Sequence, residues 1–197
     1  MASVKSAVSD APSDGLNRKL IFNEWDDVRE GQAVRPNQQE QLVRALGRPL
    51  KTSTGHEEQF VVLWYLHGKP LMGRGRLEDG KIHGVFVHRG KVYAGLQLTG
   101  SDFQVLVQHN PLSSGFEYIW LPYDQARSDS AACALVHVGH VAPCVITTDD
   151  YEVLGSLDMD VEVAEARVND VCIRREGASI KSVYVLCRKD REDIVAL

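Results

Sequence analysis

A chain that repeats a strand-rich passage must bury one copy against the other, and this chain reads its central passage twice. From Trp64 it runs Trp-Tyr-Leu-His-Gly-Lys-Pro, reaches a turn at His88-Arg89-Gly90-Lys91 and closes on Ser101-Asp102-Phe103-Gln104-Val105-Leu106-Val107. From Trp120 it runs Trp-Leu-Pro-Tyr, reaches His137-Val138-Gly139-His140 and closes on Asp149-Asp150-Tyr151-Glu152-Val153-Leu154-Gly155. The interval from Gly90 to Phe103 is 13 residues and that from Gly139 to Tyr151 is 12. A third echo, Val183-Tyr184-Val185-Leu186-Cys187, follows near the end. Recurrence of a short aromatic-Val-Leu strand implies a duplicated β unit whose copies shield each other from water.

Strand signals support this. Gln59–Leu66, Ile82–Val87, Val92–Leu98, Phe103–Val107, Phe116–Leu121, Ala132–Val138, Ala142–Thr147 and Tyr151–Leu154 are β-branched or aromatic runs at intervals of roughly ten residues. Val161–Val168 begins with period two, and Val171–Arg174 and Ile180–Arg188 read as a last hairpin across Glu176-Gly177-Ala178-Ser179. The expected fold is all-β: an antiparallel sandwich or barrel of two pseudo-symmetric halves with one short N-terminal helix. That helix is expected over 37–46, with Asn37 and Glu40 as a capping box, Leu42, Val43 and Leu46 as a narrow apolar stripe, and Gly47 and Pro49 as the stop.

The expected organisation is a disordered tail over 1–17, an N-terminal extension with the helix over 18–57 and a duplicated β domain over 58–197. Its units span about 60–108 and 116–156, and C-terminal strands cover 160–190. An apolar fraction of 44% and a charged fraction of 25% suit a soluble globular chain. A net charge of −5 argues against a general nucleic-acid binder. No apolar run reaches the length of a membrane span, and the N-terminus lacks the apolar core of a secretory signal, so a cytoplasmic protein without membrane contact is expected. Cys133, Cys144, Cys172 and Cys187 lie in strand-like stretches without a CxxC pair, and read as small buried hydrophobes.

The motifs resemble those of the DM9 family of invertebrate lectins and related cytosolic proteins. Tyr151-Glu152-Val153-Leu154 matches that family's closing strand, and Asp102-Phe103-Gln104-Val105-Leu106-Val107 is a conservative variant. Gly68-Lys69-Pro70-Leu71-Met72-Gly73-Arg74 is similar to its hairpin, and Tyr118-Ile119-Trp120-Leu121-Pro122 to a unit start. The likeness covers about residues 60–156. It implies a β domain of two halves and, in some members, recognition of mannose-type glycans, often as a dimer. The acid that precedes the family's hairpin is replaced here by Tyr65-Leu66-His67, and the later Lys stretch by Ile82-His83-Gly84-Val85.

Sugars offer many hydroxyls and little apolar area, so fixed polar partners decide their recognition. The richest polar region is the first hairpin: His67, Lys69, Arg74, Arg76, Asp79 and Lys81. These six are the candidate ligand set; the plainer reading is a charged turn in solvent, reversed by Asp79-Gly80. Trp64 and Trp120 read as core anchors at equivalent points of the two units. Phe22, Trp25 and Val28 either pack back as an extra strand or line one helical face that docks a partner.

Gly73-Arg74-Gly75-Arg76 lacks the third glycine and the following helix of a dinucleotide loop. Scattered histidines do not give a metal site, and no nucleophile elbow or activated Cys is evident. No catalytic residue, metal or cofactor is therefore expected. Two functions of different class follow: a glycan-binding module, or an intracellular protein-interaction scaffold that uses the N-terminal aromatic segment and sheet edges. A homodimer would cover open edges.

Overall fold

Three dipeptides, His67-Gly68, Asp79-Gly80 and Arg89-Gly90, place both members at positive φ. This is the two-residue hairpin geometry whose twist matches that of paired strands. They join β2 (Phe60–Leu66), β3 (Lys69–Glu78), β4 (Lys81–His88) and β5 (Lys91–Ala94) into one antiparallel meander. A 3-10 turn over Gly95–Leu98 then carries the chain across the sheet. There β6 (Asp102–Val107) pairs with β2, and β1 (Glu24–Arg29) pairs with β6. The computed structural model describes residues 23–52, 55–109, 114–128, 133–169 and 171–191. The tail expected to be disordered, Phe22 and the terminal Ile194–Leu197 lie outside them.

The second sheet is built from β7 (Phe116–Pro122), β9 (Val141–Thr147), β10 (Glu152–Asp158), β11 (Val163–Val168), β12 (Val171–Glu176) and β13 (Tyr184–Asp190). A six-residue helix, α2 (Tyr123–Ser128), follows β7, and the two-residue β8 (Ala134–Leu135) pairs with β13. The first sheet runs β1-β6-β2-β3-β4-β5 and the second β7-β13-β9-β10-β11-β12. The orders correspond strand for strand, and so do the registers. Trp25 faces Leu106 as Trp120 faces Leu186. Val62 faces Val105 and Gly73 as Cys144 faces Val185 and Gly155. Phe86 faces Tyr93 as Ala166 faces Ile173.

This correspondence corrects the phase of the repeat. Trp120 stands where Trp25 stands in the first sheet, whereas Trp64 corresponds to Ile146. The true partner of Phe103–Val107 is the third echo, Val183–Cys187. The expected last hairpin is not formed either: β12 lies at the sheet edge and β13 between β9 and β7, joined by a 3-10 turn over Gly177–Ile180. Of the charged first hairpin, Asp79-Gly80 makes the expected reversal, but the residues before it form the ten-residue β3 and are not all on a solvated turn. Its alternation of Gly73-Arg74-Gly75-Arg76 hid a strand in which the glycine positions are pressed by Phe86, Val62 and Ile82.

The helix expected over 37–46 shrinks to one turn, α1 (Pro36–Gln39), with Arg35 as its N-cap residue. Beyond it the chain extends, because Leu42, Val43 and Ala45 gain more by entering the sheet than by covering it. Val43 N–H donates to Leu106 O, and Val61 N–H donates to Val43 O. Val136 repeats the first of these bonds with Leu186 O.

The two sheets form a sandwich-like structure with three layers of core. Between them Val43, Val61 and Leu106 of the first half meet Val136, Val145, Leu154 and Leu186 of the second. Leu63 and Met72 add a contact with Val141. The far face of each sheet carries its own cluster. In the first, Trp64, Phe86, Tyr93 and Phe103 stack with ring centroids 5.4–5.9 Å apart. In the second, Cys144, Ile146, Val153, Ala166 and Val185 pack with Ile180.

Candidate functional site

The ten-residue β3 holds the six predicted ligand residues apart. At about 3.3 Å per residue it is roughly 30 Å long. His67 and Lys69 are exposed at one end, while Asp79 and Lys81 are exposed at the turn beyond the other. Arg74 and Arg76 lie between these ends on the face turned toward the second sheet; Arg74 is buried and Arg76 half-buried. Arg76 Nη2 pairs with Glu78 Oε1 at 3.1 Å, and its Nη1 meets His56 Nε2 at 3.0 Å. His56 is held below the ordinary imidazole range, first by burial and then by Arg76. The six therefore do not converge on one pocket.

Trp25 and Val28 belong to β1, so their three-residue spacing puts them on opposite faces of a strand, not along a helical stripe. Val28 is buried in the first sheet's outer cluster, and Trp25 packs against the layer between the sheets.

A wide concavity lies elsewhere, between the halves. It is a groove of about 1000 Å³ with one wall from residues 40–48 and the other from β7, Glu152 and Tyr184. Its walls exist because 41–45 is spliced into the first sheet at the place where β7 edges the second. Trp120 Nε1–H donates to Arg44 O at 3.1 Å across the groove. Tyr118 is half-buried and donates to Asn23 Oδ1 at 3.3 Å; burial pushes its phenol well above the ordinary range. At one end Arg48 grips Glu152 with two bonds, Nη1–Oε2 at 2.8 Å and Nη2–Oε1 at 2.7 Å, and Lys51 N–H adds a third at 2.9 Å. The Arg48 bonds hold the Glu152 carboxyl below its usual range. The groove thus offers aromatic side chains and guanidiniums on a rigid frame. Sequence reading missed it because its walls lie on segments far apart in the chain: Arg48 and Glu152 are 104 residues apart.

A second cleft between the halves, of about 430 Å³, is charged. Glu165 accepts from Arg89 N–H and Gly90 N–H of the first half at 2.8 and 3.2 Å. Nearby, His140, Asp158 and Asp160 bring one potential ligand atom each to within 4.8 Å of the others. Asp158 Oδ1 is already the acceptor for Asp160 N–H at 3.0 Å, which leaves a partly exposed carboxylate-imidazole group.

Comparison with known proteins places this geometry. Residues 22–190 match the MFP2b family, described as a cytosolic motility protein. The crystal structure of the nematode sperm cell motility protein MFP2B superposes with a TM-score of 0.76 at 33% identity, over 87% of this chain and 47% of that one. The chain thus spans about half the length of this solved relative. The comparison with curated proteins gives no match. The resemblance to DM9 proteins is overturned by the family match, which runs through both sheets. Tyr-Glu-Val-Leu and Gly-Lys-Pro are short strand and hairpin patterns that any antiparallel meander can carry, and the mannose-type ligand implied through them loses its support. The cytoplasmic placement agrees with the family's description. With 169 of its residues matched, the chain belongs to the MFP2b family of cytosolic motility proteins.

Proposed function

We propose that the chain is a non-enzymatic interaction module of a cytosolic motility apparatus, and that it binds a protein partner in the groove between its halves. The groove itself carries this reading. Aromatic residues and arginines are the types enriched at protein interfaces and at their energetic centres, and Tyr118, Trp120, Tyr184, Arg44 and Arg48 line it together. The family description and the sperm motility protein of similar fold support a mechanical or scaffolding role. The side-chain chemistry points the same way: the Cys144 and Cys187 thiols are pushed up by burial and are poor nucleophiles.

The test is retention of partners from the cytosol of the source cells on the immobilised chain, compared with Arg44→Glu and Glu40→Arg variants. Both positions are on the groove rim and Arg44 is exposed, so the fold should survive. A discrete set of proteins should be lost with the groove variants and kept with Lys69→Ala and Asp79→Ala. A central contact of about 2 kcal/mol corresponds to roughly a 30-fold loss of affinity. Equal retention by all variants would refute the groove, and capture on mannose resin would return the glycan reading.

A further inference from the structure

Arg74 sits in mid-β3 on the inner face of the first sheet, opposite Val61 on one side and Val85 on the other. Only 9% of the residue is exposed. Its Nε is a buried donor without an acceptor, and among the described residues its guanidinium has no carboxylate in ion-pair range. Arg76, two residues along on the same face, has a second buried Nε without an acceptor. Arg167 of β11, whose Nε donates to Asn169 O, approaches from the second sheet. Burial and then the repulsion of Arg76 and Arg167 lower the Arg74 pKa to about 10.

A guanidinium buried without a counter-charge is strongly destabilising, and an apolar side chain of similar volume would be better tolerated. The fold itself does not require it. The second sheet repeats this register position, and there the buried residue is Ser156, opposite Pro143 as Arg74 is opposite Val61. An arginine at such a place is better explained by what it binds than by what it packs against.

We propose that Arg74, Arg76 and Arg167 bind a phosphate-type oxyanion between the two sheets, with His56 at the entrance. Guanidinium forks match a tetrahedral oxyanion through paired N–H donors, and the two orphaned Nε–H groups supply donors of this kind. The way in is past Arg76 and His56, whose side chains are 28% and 32% exposed. Among the described residues, the carboxylate beside Arg76 is Glu78, at the outer edge and 41% exposed; it pairs with Arg76 at 3.1 Å and lies 3.8 Å from His56, and makes no ion pair with Arg74. This leaves Arg74 for the anion.

The experiment is thermal unfolding of the full chain in sodium phosphate against sodium chloride of equal ionic strength, with calorimetric titration of inorganic phosphate. A saturable rise in Tm is expected, about 5–10 °C at one hundred times the dissociation constant. Arg74→Met should lose at least tenfold in phosphate affinity while its Tm without phosphate equals or exceeds that of the parent. Arg74→Ser, which installs the residue found at the equivalent position of the second sheet, should lose binding in the same way. A phosphoserine peptide, with its unphosphorylated form as control, separates the two sources: tighter binding of the peptide assigns the anion to a modified partner, equal binding to the free ion. No phosphate effect beyond chloride, or an effect that persists in both variants, overturns the proposal.

Discussion

Gly73 and Gly155 hold the same place in the two sheets, facing Val62 and Cys144 respectively across a hairpin. At each, a neighbouring strand comes so close that a side chain has no room. A Cβ at Gly73 would lie 2.5 Å from both Val85 O and the Phe86 ring, and one at Gly155 would lie 2.7 Å from Ala166 Cβ and closer still to Glu165 O.

Because backbone forms part of both obstructions, Gly73→Ala and Gly155→Ala should each lower stability by about 2–3 kcal/mol. Gly75→Ala presses on the Val62 and Ile82 side chains, at 2.8 and 3.2 Å, with the nearest backbone atom, Phe60 O, at an ordinary 3.5 Å, and should cost about 1 kcal/mol. Urea unfolding of the three variants checks this; a Gly155→Ala no worse than Gly75→Ala would refute the close-approach argument.

The Arg48–Glu152 pair makes stability depend on pH. The folded carboxyl titrates below its ordinary range, through the Arg48 hydrogen bonds first. Its contribution is therefore full above the unfolded carboxyl's range and is lost as pH falls through the folded value. Arg48 is 52% exposed and solvent weakens the pair, so Glu152→Gln should cost about 1 kcal/mol at neutral pH. The variant's stability curve should converge on the parent's in acid. A constant difference across the acid limb would contradict the assignment.

Leu106 and Leu186 meet in the layer between the sheets, both fully buried. Leu106→Ala and Leu186→Ala should each cost about 3 kcal/mol. Sharing one cluster, they should not add in the double variant. Denaturant midpoints of the single and double variants give the coupling, and strict additivity would mean that the halves do not share a core there.

Thiol labelling should follow burial. Cys144 is fully buried, and the Cys187 thiol is pushed up to about 12 by burial and by Cys133 beside it. Cys172, half-buried on the edge strand β12, should react first with an alkylating reagent, and Cys144 only after unfolding. Mass spectrometry of partly labelled protein reads the order directly; native labelling of Cys144 would contradict it.

The all-β architecture and the duplication were legible because alternation and turn residues act locally. Phe103–Val107 and Val183–Cys187 carry the same strand in visible form. The phase was not legible, since Trp64 and Trp120 look alike while doing different work, and only sheet order pairs Trp120 with Trp25. Leu42 and Val43 pattern like a helix, but tertiary pairing with Leu106 and Val61 overrides that local preference. In the sequence Arg74 reads as a polar residue of a charged hairpin, although it is buried. Burial of one strand face depends on a second sheet that no local pattern announces. The groove was least visible of all, because Arg48 and Glu152 become neighbours only when both sheets are in place.

The return of β6 between β1 and β2 has a consequence for synthesis. Strand β1 leaves the ribosome before the other described strands of its sheet, but β6, its neighbour among the described residues, is finished only when residue 107 has been made. From that moment the first sheet is complete. The faces of Val61, Leu63 and Leu106 must then wait for translation of the second half, a window in which a chaperone or another nascent chain can reach them.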